Sequence, residues 1–242
     1  MSNPKDNSRT VLPQNFEALV FRRSLVAVLS FLLLLWIVKL VEVGMDASFA
    51  QYGILPRTWE GIKGILFSPL IHGDFYHLIS NSIPLAVLGI GLFYFYTRIA
   101  PEVTLWIYLA TGFWVWIDAR GESYHIGASG LVYGLAAFLI VGGFLRRNLR
   151  VMTTSLVVLF LYGGMFYGVL PGEAGISWES HALGAVSGGV LAVFFRKEPI
   201  WTIPNPPELE KQEEVASEEE TIIPPTDPIV FPYKFVPEQE ED

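Results

Sequence analysis

The sequence predicts an all-α membrane protein, a body of six transmembrane helices followed by a disordered acidic C-terminal tail. Of its 242 residues, 52% are hydrophobic and 17% are charged, whereas a soluble domain has about 25% charged residues. The apolar residues also fall into six runs of a length that suits a bilayer core, which needs about 20 residues per helix. This composition argues against both a soluble protein and a disordered chain.

The six runs can be placed one by one along the chain. The first is Ser24–Val43, whose two charged residues, Lys39 and Glu42, lie near its end. It lacks a clear cleavage site, so we interpret it as an uncleaved anchor. The others are uncharged: His77–Thr97, Val103–Ile117, Ile126–Leu145, Val151–Leu170 and His181–Phe195. The third and the sixth are short and need flanking residues to cross a bilayer.

Lys and Arg residues are distributed unevenly around these spans, which predicts the orientation of the bundle. With the N-terminus inside, eight of them flank the inner ends and three lie in outer loops. The eight are Arg22, Arg23, Arg98, Arg146, Arg147, Arg150, Arg196 and Lys197, and the three are Arg57, Lys63 and Arg120. Both termini are therefore predicted to be cytoplasmic, in what we expect to be a bacterial plasma membrane.

The last 46 residues differ in composition from the rest. Residues 197–242 hold 13 acidic and 3 basic side chains and 9 of the 16 prolines. Such a segment cannot bury enough apolar surface to fold. The predicted organisation is a cytoplasmic segment at 1–23, a six-span domain at 24–196 and a cytoplasmic tail at 197–242. The tail has a net charge of −10 and the remaining residues one of +2, which together give the −8 of the whole chain. No nucleic-acid partner is expected. The oligomeric state is not predicted.

Polar side chains gather at one level of the predicted bundle. His77 opens the second span, Ser129 lies in the first turn or so of the fourth, and His181 opens the sixth. These three spans run from outside to inside. With a rise of about 1.5 Å per residue, the three side chains lie within roughly one turn of the same depth. A serine beside an imidazole base is the minimal activated nucleophile, and polar residues within spans are candidates for function.

Neighbouring residues support this pairing. His77 and Asn81 are four residues apart and share a helix face, so both can donate hydrogen bonds toward one point, as an oxyanion hole requires. Helix-to-helix hydrogen bonding is the alternative for Asn81. Tyr133 lies one turn below Ser129 and is placed either to stack on a catalytic imidazole or simply to pack.

Glycines surround the candidate nucleophile and follow the candidate base. Gly127 and Gly130 flank Ala128-Ser129 and leave the serine accessible. Gly184 and Gly188 follow His181 at a spacing that allows close contact between helices. Close packing of the fourth and sixth spans is what a hydrogen bond between Ser129 and His181, of about 2.6–3.2 Å, requires.

Together these motifs resemble those of the rhomboid intramembrane serine proteases. The resemblance rests on His72-Gly73-Asp74-Phe75-Tyr76-His77-Leu78-Ile79-Ser80-Asn81, on Gly127-Ala128-Ser129-Gly130, and on His181 with Gly184 and Gly188. It covers roughly residues 45–196. His125, four residues before Ser129, is not part of it.

The resemblance implies a fold, an activity and roles for individual residues. It implies a six-helix bundle in which Ser129 is the nucleophile and His181 the general base, without a third acid. His77, Asn81 and the backbone N–H of Ser129 match the oxyanion hole, Tyr133 matches the residue that packs on the catalytic histidine, and His72 matches a histidine with a less direct role. The implied substrates are single-span membrane proteins in the lipid bilayer, and neither a cofactor nor a metal is expected.

Other functions fit the sequence less well. A metalloprotease would need a ligand string such as His-Glu-x-x-His, and the chain has none and no cysteine. An intramembrane aspartyl protease would need aspartates on two facing spans, but apart from the loop residue Asp74 only Asp118 lies at this level. A transporter would carry charged residues deep in its spans. The alternative left open is a catalytically inactive rhomboid-like protein that binds membrane clients without cutting them.

Overall fold

The described part of the protein contains six helices of 13 residues or more. The computed structural model describes residues 16–121, 123–147, 149–161, 168–170 and 177–198, which belong to one compact unit, residues 13–202. The helices are α1 (Phe16–Gly44), α2 (Phe75–Phe95), α3 (Ala100–Asp118), α4 (Ser129–Arg146), α5 (Leu149–Leu161) and α6 (Trp178–Phe194). These residues contain no β-strand, only one isolated bridge between Ile54 and His125. The prediction of an all-α protein is confirmed.

Each predicted span overlaps one of these helices within the described residues, and several boundaries differ. Helix α4 begins at Ser129 instead of residue 126 because Gly127 adopts a φ of +108°, which does not belong to a right-handed helix. Helix α6 begins at Trp178, one turn before His181. Residues 1–15, residues 162–167 of the fifth predicted span, and the predicted tail from residue 199 onward lie outside the described residues.

Three of the helices are long and apolar enough to cross a membrane: Glu17–Gly44, Phe75–Phe95 and Ser129–Arg146. Helices α5 and α6 have 13 and 17 described residues, or about 20 and 26 Å at a rise of about 1.5 Å per residue. The outer surface of α1 is apolar, and Val26 and Leu33 are 58% and 61% exposed. An apolar exterior of this kind fits a lipid environment and would be unfavourable in water.

Helix α4 lies at the centre of the body and packs against α2, α3, α5 and α6. Its core residues Leu135, Phe138 and Leu139 are at most 1% exposed. They pack with buried leucines of α2, such as Leu88 and Leu92. Helix α1 packs on the other side of α2. This arrangement gives the start of α4 neighbours on several sides.

The segment between α1 and α2 is an ordered loop with four short helical turns. The turns are Ala50–Tyr52, Glu60–Lys63, Gly64–Phe67 and Ser68–Leu70. The loop is tied to α3: Arg57 donates to the carbonyls of Ile117 and Ala119 at 3.1 and 2.7 Å, and Trp116 Nε1 donates to the carbonyl of Thr58 at 2.8 Å. The loop therefore forms one wall at the end of the bundle where α2, α4 and α6 begin.

Candidate active site

Ser129 is the first residue of α4 and follows a tightly held loop. Two residues earlier, the N–H of Gly127 donates to the carbonyl of Ser68 at 2.8 Å. The N–H of the buried Ala128 donates to Nε2 of His72 at 3.3 Å. The loop before α2 therefore holds the backbone on the N-terminal side of Ser129.

Glycines bring α4 and α6 into backbone contact. A Cβ on Gly184 would lie 2.1 Å from the carbonyl oxygen of Gly130, and one on Gly188 would lie 1.9 Å from that of Gly134. Any side chain at these positions would force the helices apart. The contacts advance in the same direction along both helices, so α4 and α6 run parallel. Their first turns, which carry Ser129 and His181, lie at the same end.

The His181 imidazole is held by two neighbours. Its Nδ1 lies 2.8 Å from the carbonyl oxygen of Gly168, and its ring stacks on that of Tyr133 with centroids 4.2 Å apart and planes 7° from parallel. A carbonyl only accepts hydrogen bonds, so Nδ1 carries the proton in the neutral ring. Nε2 is then the basic nitrogen, as a general base requires.

Ser129 and His181 are brought to the same end of adjacent helices, but no hydrogen bond joins them. In the part of the chain that the structure describes, Ser129 Oγ makes no hydrogen bond and the His181 imidazole is hydrogen-bonded only to the carbonyl of Gly168. Catalytic hydrogen bonds are often long without substrate and tighten when it binds. The arrangement holds the His181 imidazole in one orientation and leaves the Ser129 hydroxyl without a hydrogen bond among the described residues.

His77 and Asn81 converge beside the backbone that leads to Ser129. A Cβ built on Gly127 would lie 2.7 Å from Cε1 and Nε2 of His77 and 3.7 Å from Nδ2 of Asn81. The Asn81 amide also donates to the carbonyl of His77 at 3.1 Å. The Asp74 carboxylate accepts the N–H of His77 at 2.7 Å and caps α2. Two potential donors thus lie next to the loop on which an oxyanion hole would be built.

His72 is hydrogen-bonded to the loop that precedes Ser129. It is 1% exposed, its Nε2 accepts the Ala128 N–H, and its ring lies 5.1 Å from that of His77. Burial, assisted by the neighbouring His77 imidazole, lowers the pKa of His72 to about 4. His72 is therefore neutral near pH 7 and acts as an acceptor for the backbone.

Comparison with known proteins shows the family of this chain. Residues 57–198 match the family model described as Rhomboid domain. The chain belongs to the rhomboid family. The matched region contains every candidate site residue named from the sequence, from His72 to Gly184.

Similar chains occur in mycobacteria. Uncharacterized proteins of Mycobacterium tuberculosis and Mycobacterium bovis are each 39% identical over 176 residues, which cover 68% of this chain and 72% of the relative. An uncharacterized protein of Mycobacterium leprae is 38% identical over 177 residues, 69% of each chain. No solved structure gives a significant match.

Helix α1 precedes the matched rhomboid domain, yet it touches the site. The buried Lys39 ammonium donates to the carboxylate of Glu42 at 2.7 Å and to the carbonyls of His72 and Gly73 at 3.0 and 2.9 Å. Glu42 in turn accepts the N–H of Phe49 at 2.7 Å. From the sequence, these two charges are predicted only to lie near the end of a span. Their presence on an apolar helix was the available signal for a polar role.

Gly168 is a second site residue that the sequence reasoning missed. It contributes a carbonyl, which every residue has, so its identity gives little warning of the role. A Cβ there would lie 2.1 Å from Oη of Tyr133 and 3.1 Å from Nδ1 of His181. The absence of a side chain at Gly168 lets its carbonyl, the phenol of Tyr133 and the imidazole of His181 lie close together.

Among the described residues, no group of three His, Cys, Asp or Glu side chains is arranged to hold a metal ion.

Proposed function

We propose that this rhomboid-family membrane protein is a serine endopeptidase that cleaves single-span membrane proteins within or near their transmembrane segment. The observation that carries the proposal is the orientation of His181. Gly168 and Tyr133 fix its tautomer and ring plane on a helix in backbone contact with the helix that begins at Ser129. A half-buried imidazole oriented in this way is typical of a general base.

In the proposed mechanism, Ser129 Oγ attacks the carbonyl carbon of the scissile peptide bond while Nε2 of His181 takes the hydroxyl proton. The resulting oxyanion accepts hydrogen bonds from His77, Asn81 and the backbone N–H of Ser129. His181 then gives its proton to the leaving amine, which departs and leaves an acyl ester on Ser129. A water molecule, deprotonated by His181, hydrolyses this ester and restores the serine.

We further propose that all six long helices cross the membrane with both termini in the cytoplasm and the site near the outer face of a bacterial plasma membrane. Exposed apolar side chains on the two shortest helices support this count. Phe160 on α5 is 87% exposed, and Val190 on α6 is 62% exposed. The charge asymmetry around the spans supports the orientation. The mycobacterial relatives support a bacterial membrane.

The decisive experiment is cleavage of a tagged single-span substrate in liposomes. Wild type should cut it, and Ser129→Ala and His181→Ala should each reduce cleavage to background, with little further loss in the double variant because the two residues act as a unit. Ser24→Ala is the matched control, because it removes a buried hydroxyl on α1 that bonds only to the carbonyl of Val20. Substrate binding without cleavage by wild type would instead identify the inactive, client-binding alternative.

A further inference from the structure

A second set of polar side chains lies between the loop before Ser129 and the first turn of α6. We call it the His125 cluster: His125, Arg120, Ser177, Glu179 and Ser180. Nδ1 of His125 lies 2.6 Å from Ser177 Oγ and its Nε2 lies 2.8 Å from the carbonyl oxygen of Arg120. Ser177 Oγ also lies 2.6 Å from Ser180 Oγ. His125 is 5% exposed, and none of these bonds belongs to the Ser129–His181 pair.

The polarity of these hydrogen bonds follows from their ends. The Arg120 carbonyl can only accept, so Nε2 of His125 donates and Nδ1 of the neutral ring accepts. Ser177 must then donate to His125, and Ser180 must donate to Ser177. The His125 imidazole thus bonds to a carbonyl on one side and to a chain of two hydroxyls on the other.

Two residues of the cluster have the same sequence spacing from the two residues of the candidate catalytic pair. His125 lies four residues before Ser129, and Ser177 lies four residues before His181. The bond between His125 and Ser177 therefore joins the two segments that lead into the nucleophile and the base. On the other side of that pair, Gly130 and Gly184 bring the same two helices into contact. Ser129 and His181 lie between a hydrogen-bonded tie and a glycine contact.

Two further interactions hold the same segments. The carboxylate of Glu179, which is 6% exposed, pairs with the guanidinium of Arg120. The backbone of His125 exchanges two hydrogen bonds with Ile54, at 3.0 and 2.8 Å. The imidazole is therefore anchored to the first loop while it holds α6.

We propose that His125 is a positioning residue that sets the separation of Ser129 from His181 through Ser177. The inference rests on the proposed protease function and adds to it a residue outside the motifs that identify the site. A misplacement of about 1 Å between reacting groups can lower the rate about 100-fold. Loss of the tie should therefore reduce kcat, whereas KM should change little because the cluster does not include the site residues themselves.

The test compares His125→Ala, Ser177→Ala, the double variant and His125→Asn in the full-length protein. We expect each alanine variant to lower kcat about 10- to 100-fold, and the double variant to lose little more than the worse single variant, since both remove the same tie. His125→Asn keeps an acceptor for Ser177 and should recover part of kcat. The labelling rate of Ser129 with a fluorophosphonate, which needs no protein substrate, should fall in parallel with kcat.

The control is Ser187→Ala on the same helix, which removes a hydroxyl bonded only to the carbonyl of Leu183, 2.8 Å away within α6. It should retain the wild-type kcat. The inference is overturned if Ser177→Ala keeps wild-type kcat and labelling, if the two single losses simply multiply, or if Ser187→Ala loses as much. A wild type that neither cleaves nor is labelled would instead overturn the proposed function, and this inference with it.

Discussion

A histidine that acts as a base needs a defined tautomer and a fixed ring plane. In the Ser-His-Asp triad a carboxylate supplies the first and also stabilises the imidazolium that forms. Here the carbonyl of Gly168 accepts the Nδ1–H of His181, and Tyr133 holds the ring plane. A neutral carbonyl orients the ring with less stabilisation of the charged form. The orientation of His181 therefore depends on packing around Gly168.

This dependence predicts a substitution and its rescue. Gly168→Ala would place a methyl group 2.1 Å from Oη of Tyr133, which must displace the phenol or the carbonyl. We expect kcat to fall at least about 10-fold, because the base is no longer held in place. Adding Tyr133→Phe removes the clashing oxygen and should restore much of the loss relative to Tyr133→Phe alone. Gly189→Ala is the control, since a Cβ there meets nothing within 4 Å.

The measurement is kcat for the four Gly168 and Tyr133 combinations, together with the labelling rate of Ser129. Equal activity of Gly168→Ala and wild type would show that the contact with Gly168 does not govern the base. A double variant no better than Gly168→Ala would point to a clash with the His181 ring itself.

His72 predicts a dependence of stability on pH. The unfolded chain binds a proton at this residue near pH 6.5, and the folded protein only near pH 4. Between these values the unfolded state holds more protons, so the free energy of unfolding falls as the pH is lowered. The contribution of His72 is complete above pH 6.5 and lost below pH 4, and it amounts to roughly 3 kcal/mol.

Denaturant unfolding of the detergent-solubilised protein between pH 7 and pH 4 measures this contribution. The comparison is with His72→Gln, whose side-chain oxygen can accept the Ala128 N–H but does not titrate. The variant should lose less unfolding free energy than wild type over this range. Equal losses of unfolding free energy in the two proteins would show that the pKa of His72 is not lowered in the folded state.

At the scale of residues, the sequence predicts a site residue when its side chain makes the contact, and not when its backbone does. Ser129, His181 and Tyr133 were proposed from residue type and helical spacing, and the structure brings them to adjacent helix starts, with Tyr133 stacked on His181. The contributions of Gly168 and of the carbonyls bound by Lys39 were not found, because a carbonyl leaves no mark on residue identity.

At the scale of the helices, hydropathy predicted the positions of the helices more accurately than the residues at which they begin and end. An uncharged run shows where a helix can lie, but the start of α4 is set by the backbone conformation of Gly127, and that of α6 lies in a polar stretch, Trp178 to Ser180. The glycines that join α4 and α6 were recognised by their spacing. Their partners on α4, Gly130 and Gly134, became clear only from the structure.

The contact between α4 and α6 predicts opposite effects for neighbouring glycines. Gly188→Ala places a methyl group 1.9 Å from the Gly134 carbonyl, so the helices must separate. We expect destabilisation by about 1–3 kcal/mol, typical of overpacking, and a fall in kcat as His181 moves away from Ser129. Gly189→Ala, one position along, meets open space and should be neutral or slightly stabilising, because alanine favours the helix.

Thermal unfolding and kcat measured on the two variants test this reading. Equal melting temperatures for Gly188→Ala and Gly189→Ala would mean that the contact relaxes at no cost. A destabilised Gly188→Ala with unchanged kcat would separate the packing of the helices from the placement of the base.

For the molecule as a whole, α1 connects a region outside the rhomboid match to the site within it. The Lys39–Glu42 pair is buried at the end of α1 and holds the carbonyls of His72 and Gly73. Breaking a buried pair by removing one partner is strongly destabilising. Helix α1 is therefore expected to be needed for an ordered site, although it contributes no candidate catalytic residue.

At the opposite end of the helix bundle, Arg146 contacts the C-terminal ends of neighbouring helices. Its guanidinium donates to the carbonyl of Phe195 and, at 3.4 Å, to that of Glu198, and it lies over the buried ring of Tyr96 with 4.9 Å to the centroid. Arg146 thus joins the C-terminal ends of α2, α4 and α6.

Truncation after Glu198 should therefore leave the catalytic body intact. Every candidate catalytic residue and every partner of Arg146 named above precedes that point, and in the proposed topology the site lies most of a ~30 Å hydrocarbon core away from the tail. We expect cleavage of a model substrate in detergent to stay within about two- to threefold of wild type, a change below ~1 kcal/mol. Arg146→Ala in the full-length chain should lower the melting temperature, because it removes the contacts with Tyr96, Phe195 and Glu198 and leaves residues 199–242 unchanged. A truncated protein that keeps the wild-type melting temperature but loses cleavage would assign the tail a part in the reaction and contradict this division of the chain.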